Sequence, residues 1–390
     1  MKRILYIHAL YSFSEFPDTL SSLGYQVTCF AEKDFDPNNS NELRYPLIQK
    51  ELMSASYDYV ASYLYFPTIS NICEALHIPY IAWTYDAPLV SLFDASIYNS
   101  CNLIFSFDYE QYAYFKKLNV KNIFYLPMAA NTDIIDKLNL YNTDYQQYSH
   151  NISFVGGLYE DNLYNQGISL IPDEYQPEIR DYLTTHLCNW DAKRSWPILS
   201  SDLTNFLVSK GASLAKCADM PDELFLGILL LSRKLGEMER ITILNRLSAS
   251  FPVDFYTRSK SPYLQNIIVH APVDYQVTMR KIFHLSKINL NITLPSICSG
   301  IPQRVFDIMA CGGFVLTNYQ PDIERHFKIG EEIETFKDME ECMYKADYYL
   351  HHDEARLKIA VNGFQSILQQ HNYTQRVTEL MEIVQQHSVC

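Results

Sequence analysis

Residues 299–318, SGIPQRVFDIMACGGFVLTN, decide the fold of this chain. Their pattern predicts a glycine-bearing loop, a short helix that starts at Pro302, a stop at Gly312-Gly313 and a buried strand over residues 314–318. Proline suits the first helical position because the first N–H groups of a helix have no partner within it. Glycine adopts the left-handed conformation that ends many helices. A helix that leads directly into a strand is typical of an α/β domain.

The start of this helix carries two residues that predict a nucleotide site. Arg304 lies in the first turn, where a positive charge opposes the helix dipole unless an anion compensates it. An arginine beside the backbone N–H groups at a helix start, here around Gly300 and Ile301, is a combination that binds phosphate. Asp307 follows one turn later on the same face and can accept hydrogen bonds from ribose hydroxyls. Phosphate next to ribose predicts a nucleotide ligand.

The composition sets the broad class of protein. A chain of 390 residues, 48% of them hydrophobic, predicts two domains with buried sheets. The net charge of −14 disfavours binding to nucleic acid or anionic lipid, because such binding requires dense lysine and arginine. The sequence has no signal-peptide pattern and no run of the roughly 18–20 apolar residues that span a membrane. We therefore expect a cytoplasmic protein without an integral membrane segment.

Cysteine and histidine usage bears on metal binding. The nine cysteines are scattered without CxxC spacing, which is typical of reduced thiols in a cytoplasm. The eleven histidines show no HxxxH or HExxH pattern, so we predict no transition-metal site. Asp34-Phe35-Asp36 has the form of the DxD metal–diphosphate motif but lies in a polar loop, and we predict no metal there either.

Strand-like and helix-like segments alternate along the first third of the chain, which favours a parallel, doubly wound sheet. The polar segment 131–150 is typical of a linker, and a second α/β unit opens at residue 152. From about 173 to 250 the pattern is helical, and strand-like runs then resume. The strand-like runs are residues 3–7, 25–30, 57–65, 80–84, 103–107, 122–126, 253–257, 267–270, 288–292 and 314–318.

The segment after the strand-like run 80–84 is a candidate acceptor site. Loops at the carboxyl ends of parallel strands form the ligand crevice of an open sheet. Asp86 is therefore placed to meet a substrate hydroxyl, and Trp83 or Tyr85 to stack on a ring. The alternative is that Asp86 caps a turn before Pro88 and that Trp83 is a core residue.

Two further loops are candidates for the phosphates of a nucleotide. Gly156 and Gly157 follow a strand-like run and would let the backbone approach a phosphate, although a tight turn uses the same residues. Arg258 and Lys260 follow another strand-like run and could bracket a diphosphate in an otherwise acidic protein. A solvated loop is the alternative for this pair.

Polar residues near two other strand ends complete the set. The backbone around Val273 could pair with the edge of a nucleobase, although most such turns only cap the next helix. Asn289 and Asn291 share one face of a buried run. Burying amides without partners is costly, so these two either line a site or hold a loop.

Several of these segments together resemble a known family. Bacterial glycosyltransferases related to the spore-maturation protein CgeB are closely resembled by three segments, residues 287–292, 299–307 and 312–319. Residues 80–88 and 122–127 resemble the N-terminal domain that accompanies this block. The segments at 154–159, 253–257 and 272–275 fit the family as well, so the resemblance covers nearly the whole chain in order.

The resemblance implies the GT-B architecture: two Rossmann-like, doubly wound parallel-sheet domains that face a cleft. Residues 1–147 would form the acceptor domain. Residues 148–372 would form the nucleotide-sugar domain, with a helical insert at about 173–250. Residues 373–390 would form a helix that crosses back to the first domain.

The implied activity is transfer of a hexosyl or N-acetylhexosaminyl group from a nucleotide-diphosphate sugar, with a UDP-sugar favoured, to an acceptor hydroxyl. The nucleotide-sugar is a substrate, and neither a metal nor another cofactor is expected. The leaving diphosphate would be stabilised by Arg304, by backbone N–H groups near Gly300 and by Arg258 or Lys260. The acceptor is a protein, a glycan or a small molecule, and the sequence does not define the oligomeric state.

The stereochemical course depends on Ser299. Retaining GT-B enzymes often carry two acidic residues eight positions apart; Asp307 matches the second, whereas the first falls on Ser299, which would contact the donor without a carboxylate. Retention would let the donor's phosphate take the acceptor proton, and inversion would make Asp86 the general base. A nucleotide-sugar epimerase and a catalytically silent sugar-nucleotide-binding partner are the alternatives to transfer.

Overall fold

The computed structural model describes residues 1–8, 14–30, 44–134, 138–191, 194–212 and 218–387. The chain divides into two compact units, each with its own sheet. Unit 1 comprises the described residues of Met1–Ala129, Leu214–Pro221 and His371–Cys390. Unit 2 comprises those of Ala130–Ser213 and Asp222–Gln370. The described residues of 130–147, a segment that the sequence placed in the first domain, thus group with unit 2.

Every pairing between neighbouring strands is parallel, as the alternating pattern predicts for the first third of the chain and as the resemblance implies for the second domain. Unit 1 holds a six-stranded sheet in the order β2-β1-β3-β4-β5-β6, and unit 2 a six-stranded sheet in the order β12-β11-β10-β7-β8-β9. The strands are β1 Arg3–Ile7, β2 Gln26–Cys29, β3 Tyr59–Tyr63, β4 Tyr80–Thr84, β5 Asn102–Ser106, β6 Ile123–Tyr125, β7 Ile152–Val155, β8 Val253–Tyr256, β9 Ile268–His270, β10 Ile288–Asn291, β11 Val315–Asn318 and β12 Glu334–Phe336.

Helices flank both sheets, as in doubly wound domains. Helices α7 to α10 lie between β7 and β8 in the segment with the predicted helical pattern, and a π-helical turn, Ile228–Ser232, joins α9 to α10. The helices are α1 Glu15–Ser22, α2 Tyr45–Ser54, α3 Pro67–Leu76, α4 Tyr109–Lys117, α5 Asn142–Tyr148, α6 Leu163–Gly167, α7 Gln176–His186, α8 Ser201–Ser209, α9 Asp222–Gly227, α10 Arg233–Ser248, α11 Thr278–Leu285, α12 Gln303–Ala310, α13 Ile323–His326, α14 Met339–His351, α15 Asp353–Gln370 and α16 Tyr373–His387.

The burial of the strands follows from the packing of helices on both faces of each sheet. Every residue of β3, β4 and β5 is buried, because central strands of a parallel sheet are covered on both faces. The last helix, α16, contacts α1 and β5 and so belongs to unit 1. In the part of the chain that the structure describes, no helix has the length and hydrophobicity that crossing a bilayer requires.

The polar segment that the sequence indicated as a linker contains helix α5. Its composition gives no apolar stripe, and contacts with α11 hold it in place. Lys281 on α11 pairs with the carboxylate of Asp144 at 2.9 Å, and the hydrogen bond from Lys281 lowers the pKa of that carboxyl group. A tertiary contact therefore stabilises a helix that its composition does not indicate, together with the local hydrogen bond from the Tyr141 N–H to Asp144.

Helix α12 begins and ends close to the predicted positions. Pro302 has an extended backbone, with ψ of 151°, so it caps the helix and Gln303 is the first helical residue. Gly312 has φ of +69° and its N–H donates to Met309 O at 3.0 Å, while Gly313 N–H donates to Ile308 O at 3.0 Å. These bonds form a Schellman motif, which confirms the predicted stop.

Candidate active site

The sheet of unit 2 has a topological switch point between β7 and β10. From β7 the chain continues to β8 and β9 on one side, whereas β10, β11 and β12 lie on the other. In open α/β sheets the crevice outside the carboxyl ends of the strands at such a point binds ligands. Gly156-Gly157 follows β7 here, and the loop that leads into α12 follows β10.

Arg304 lies at this crevice. Its Nη1 donates to the carbonyl oxygen of Val155, the last residue of β7, at 2.9 Å. The guanidinium lies 5.5 Å from the ring centre of Phe283, and burial lowers its pKa while Asp307 opposes that effect. An arginine remains charged even so. Helix α12 thus presents a half-buried positive charge next to Gly156.

Asp307 is buried one turn deeper, with 6% of its surface exposed. Its Oδ1 accepts hydrogen bonds from the Tyr275 hydroxyl at 2.9 Å and from Gln303 Nε2 at 2.9 Å. Asp307 is therefore too buried to form an exposed ion pair with Arg304 on a solvated helix, an arrangement that would contribute little to stability. A carboxylate that already binds a hydroxyl in a buried setting is suited to bind the hydroxyls of a ribose.

Arg240 on α10 was missed by the sequence analysis, and it joins both sides of the switch point. Its Nη2 donates to Ile292 O, just after β10, at 2.7 Å, and its Nη1 donates to Gly157 O, 83 residues away in sequence. The guanidinium also lies 4.1 Å from the ring centre of Tyr159. Arg240 is 7% exposed and positions the glycine loop against the end of β10. Its place in a helical pattern gives no sequence signal for this role.

The loops after β7 and β8 meet at Ser259. Its hydroxyl accepts the backbone N–H of Leu158 at 2.8 Å, and a Cβ on Gly157 would lie 3.5 Å from that oxygen. Arg258 and Lys260 flank Ser259 and are exposed. The structure thus brings both residues to the crevice edge beside the glycine loop, and their contact with a diphosphate stays a prediction.

Three other predicted donor contacts have partners within the protein. Asn291 Nδ2 donates to Thr317 Oγ1 at 2.9 Å, which favours the alternative that this amide holds the strand ends together. Ser299 Oγ donates to the fully buried carboxylate of Asp322 at 3.2 Å. The turn that contains Val273 caps α11, because Asp274 Oδ1 accepts the N–H of Val277 at 2.7 Å. Gly300 and Ile301 are buried between these contacts.

The candidate acceptor residues lie at the carboxyl end of β4 in unit 1. Trp83 is fully buried and packs 5.4 Å from the ring of Phe16, which favours its alternative role as a core residue. Tyr85 is half-buried and Asp86 is exposed. Burial and the charge of Asp86 both raise the pKa of the Tyr85 hydroxyl. Of the three, Tyr85 and Asp86 therefore have surface available to an acceptor.

A glutamine that the sequence analysis did not single out holds this loop. Gln111 on α4 is fully buried, and its Nε2 donates to Asp86 O at 3.2 Å while its Oε1 accepts the N–H of Leu89 at 2.8 Å. The loop contains a cis peptide bond between Ala87 and Pro88. Gln111 therefore positions the backbone on which Asp86 is carried. Asp34 and Asp36, the alternative metal motif, lie outside the described residues.

These two parallel sheets, with a crevice at the switch point of the second, define a fold of the GT-B glycosyltransferase type. HepE from Anabaena, solved with UDP and glucose, has a TM-score of 0.53 at 11% identity, over 99% of this chain and 100% of that chain. Sucrose-phosphate synthase from Thermosynechococcus elongatus has a TM-score of 0.53 at 10% identity, over 99% of each chain. At such identities the similarity establishes the fold alone.

Residues 236–382 match the model of the family described as glycosyl transferase-like. This segment contains Arg240, Arg304 and Asp307, and with them most of the predicted donor contacts. It leaves out Gly156 and Gly157 and all of the candidate acceptor residues. A comparison with curated protein sequences gives no match.

Proposed function

We propose that this protein is a glycosyltransferase that moves a hexosyl or N-acetylhexosaminyl group from a nucleotide-diphosphate sugar to an acceptor hydroxyl. One observation carries the proposal: the half-buried Arg304 and the buried Asp307 lie one helical turn apart at the switch point of unit 2. Arg304 would meet the diphosphate and Asp307 the ribose. The glycosyl transferase-like match over residues 236–382 supports the same function.

A UDP-sugar is the donor that we favour. HepE, whose fold is similar, was solved in complexes with UDP and with UDP-glucose. The turn around Val273 would present its backbone to the uracil, as the sequence analysis expects. Asp307 would replace its bond from Tyr275 or Gln303, or add to it, when ribose hydroxyls arrive.

The leaving diphosphate would be stabilised without a metal ion. Arg304 offers a fixed positive charge, and the N–H groups at the start of α12 near Gly300 and Ile301 offer preorganised donors. Arg258 and Lys260 would add charge from the crevice edge. Such groups stabilise developing charge more strongly in a water-poor site than in solvent.

We further propose transfer with retention of the anomeric configuration. Ser299 lacks the carboxylate that the resemblance would place there, but its hydroxyl is bonded to the buried carboxylate of Asp322, which lies 23 residues later. The carboxylate of Asp322, bonded to the Ser299 hydroxyl, would take the place of the acidic residue that retaining GT-B enzymes often carry at this position. The donor's phosphate would take the acceptor proton, and Asp86 would orient the acceptor. NMR of the product's anomeric carbon tests this, and an inverted product would assign the base role to Asp86.

The overall proposal is tested by thermal-shift screening against UDP-, GDP-, dTDP- and CMP-sugars, followed by nucleotide release with candidate acceptors. We expect a UDP-sugar to raise the unfolding temperature, because a ligand at 100 times its Kd stabilises the folded state by about 2.7 kcal/mol. Arg246→Ala serves as a control, since this arginine is exposed at the end of α10. Binding without nucleotide release in any acceptor screen would identify a silent binding partner instead.

A further inference from the structure

Unit 2 assembles two histidines and an aspartate from three separate parts of the chain. His150 precedes β7, Asp254 lies in β8, and His270 ends β9. His150 Nδ1 is 3.0 Å from Asp254 Oδ2, and His270 Nε2 is 2.7 Å from Asp254 Oδ1. One ligand atom from each residue lies within 4.8 Å of the others. We call these three residues the HDH cluster.

The distances suit a divalent transition metal. Zn²⁺ takes imidazole nitrogen and carboxylate oxygen at about 2.0–2.2 Å, which places neighbouring ligand atoms roughly 3–3.5 Å apart. The two nitrogen–oxygen distances to Asp254, 3.0 and 2.7 Å, are close to this spacing, and the nitrogens of the two histidines lie within 4.8 Å of each other, so they would move closer together around a bound ion. Two imidazoles and one carboxylate are also a donor set that favours Zn²⁺ and its neighbours over Mg²⁺ or Ca²⁺, which prefer oxygen.

Tyr256 holds both histidines in orientation. Its hydroxyl lies 2.7 Å from His150 Nε2, and its ring stacks on His270 with 4.4 Å between ring centres. The tautomer of His150 that donates from Nδ1 to Asp254 accepts the Tyr256 hydroxyl at Nε2. With metal on Nδ1, the proton moves to Nε2 and donates to the same hydroxyl. Metal-binding histidines generally have such a partner for the second nitrogen, and here both tautomers are satisfied.

The charge and the solvent exposure of the HDH cluster also suit a bound cation. Asp254 contributes the carboxylate of the set, and each of its two oxygens lies against an imidazole nitrogen. The side chains of His150 and Asp254 are each 9% exposed, whereas that of His270 is 32% exposed. The side of His270 therefore gives a metal ion access from solvent and leaves room for a water ligand.

We propose that the HDH cluster binds one Zn²⁺ or a related first-row divalent ion. The bound ion would link three segments at the outer part of the sheet: the junction between α5 and β7, strand β8 and strand β9. The ion would be structural, because the HDH cluster contains none of the groups assigned to the diphosphate, the ribose or the acceptor. The proposal is independent of the transfer reaction. It differs from the prediction of no transition-metal site, which was based on histidine spacing, because ligands at 150, 254 and 270 form no local motif.

The test uses the full chain, stripped with a chelator, dialysed and titrated with Zn²⁺ by calorimetry, with the unfolding temperature as a second measurement. We expect one ion per chain and a higher unfolding temperature, and no effect of Mg²⁺. His270→Gln should weaken Zn²⁺ binding at least about 100-fold, and Tyr256→Phe about 10- to 100-fold. His352→Gln is the matched control, because it removes an exposed histidine from the end of α14.

Circular dichroism establishes that each variant is folded. His270 is partly exposed on the edge strand β9, so the fold should tolerate the His270→Gln substitution better than a substitution of the buried Asp254. Two outcomes would overturn the proposal. One is the absence of stoichiometric Zn²⁺ binding by the folded wild-type chain. The other is equal binding by His270→Gln and His352→Gln, which would assign the ion to other groups, such as the thiols.

Discussion

Arg304 and Asp307 should act as separable contacts to one nucleotide. Arg304→Ala removes a guanidinium that faces the predicted diphosphate, and hydrogen bonds to charged groups contribute about 1.5–3 kcal/mol. Since about 1.4 kcal/mol is a factor of ten, UDP and UDP-glucose should bind roughly tenfold to a hundredfold more weakly. Uridine has no phosphate, and its affinity should stay within about twofold of wild type.

Asp307→Asn should give the complementary pattern. The amide keeps the shape of the carboxylate and can still accept from Tyr275 and Gln303, but the charge is lost. All three ligands contain ribose, so uridine, UDP and UDP-glucose should each bind about tenfold to a hundredfold more weakly. Tyr275→Phe removes one donor from Asp307 and keeps the charge, so its effect should be less than about tenfold.

Isothermal titration calorimetry of the variants with the three ligands is the assay, and Arg246→Ala is the control. Arg304→Ala also leaves the Val155 carbonyl without its donor, which should cost about 1–3 kcal/mol of stability. That is less than the 5–15 kcal/mol typical of folded domains, so the variant should remain folded. If both variants bind uridine, UDP and UDP-glucose like wild type, the nucleotide site is not at α12 and the reasoning fails.

Three further outcomes are expected. Transfer at 25 °C should survive EDTA even though chelation lowers the unfolding temperature; loss of activity that Mn²⁺ but not Zn²⁺ restores would implicate Asp34 and Asp36. Asp86→Asn should abolish most transfer while calorimetry gives an unchanged donor affinity, and an equal loss of donor binding would contradict its assignment to the acceptor. Gly313→Ala should lower the urea midpoint, because a Cβ there would lie 2.4 Å from Phe283 O, whereas Gly167→Ala meets nothing within 4 Å and should be neutral or slightly stabilising.

The sequence determined the features whose causes are local. Helix α12 is bounded by Pro302 and by Gly312-Gly313, so its limits depend on residues that are neighbours in the chain. Arg304 and Asp307 lie on one helix face because of helical periodicity alone. The alternation of strand and helix patterns in the first third of the chain likewise predicted the parallel sheet of unit 1, since each apolar run must be buried against the next.

Tertiary structure decided the residues whose partners are distant. Arg240 bonds to Gly157 and Ile292, and Gln111 bonds to Asp86 and Leu89, and neither contact has a signature in spacing. Helix α5 exists through its packing on α11 although its sequence is polar. In each case the determining energy comes from contacts that form only when separate elements meet.

The HDH cluster is the clearest example of a site that local sequence patterns do not predict. From histidine spacing we predicted no transition-metal site, but spacing detects only ligands that are close together in the chain. Parallel pairing places Tyr256 beside His270 and Ser153 beside Asp254, so side chains from β8 and the end of β9 meet His150, which lies two residues before β7. Sequence distance carries no information about such convergence, because the sheet register sets it.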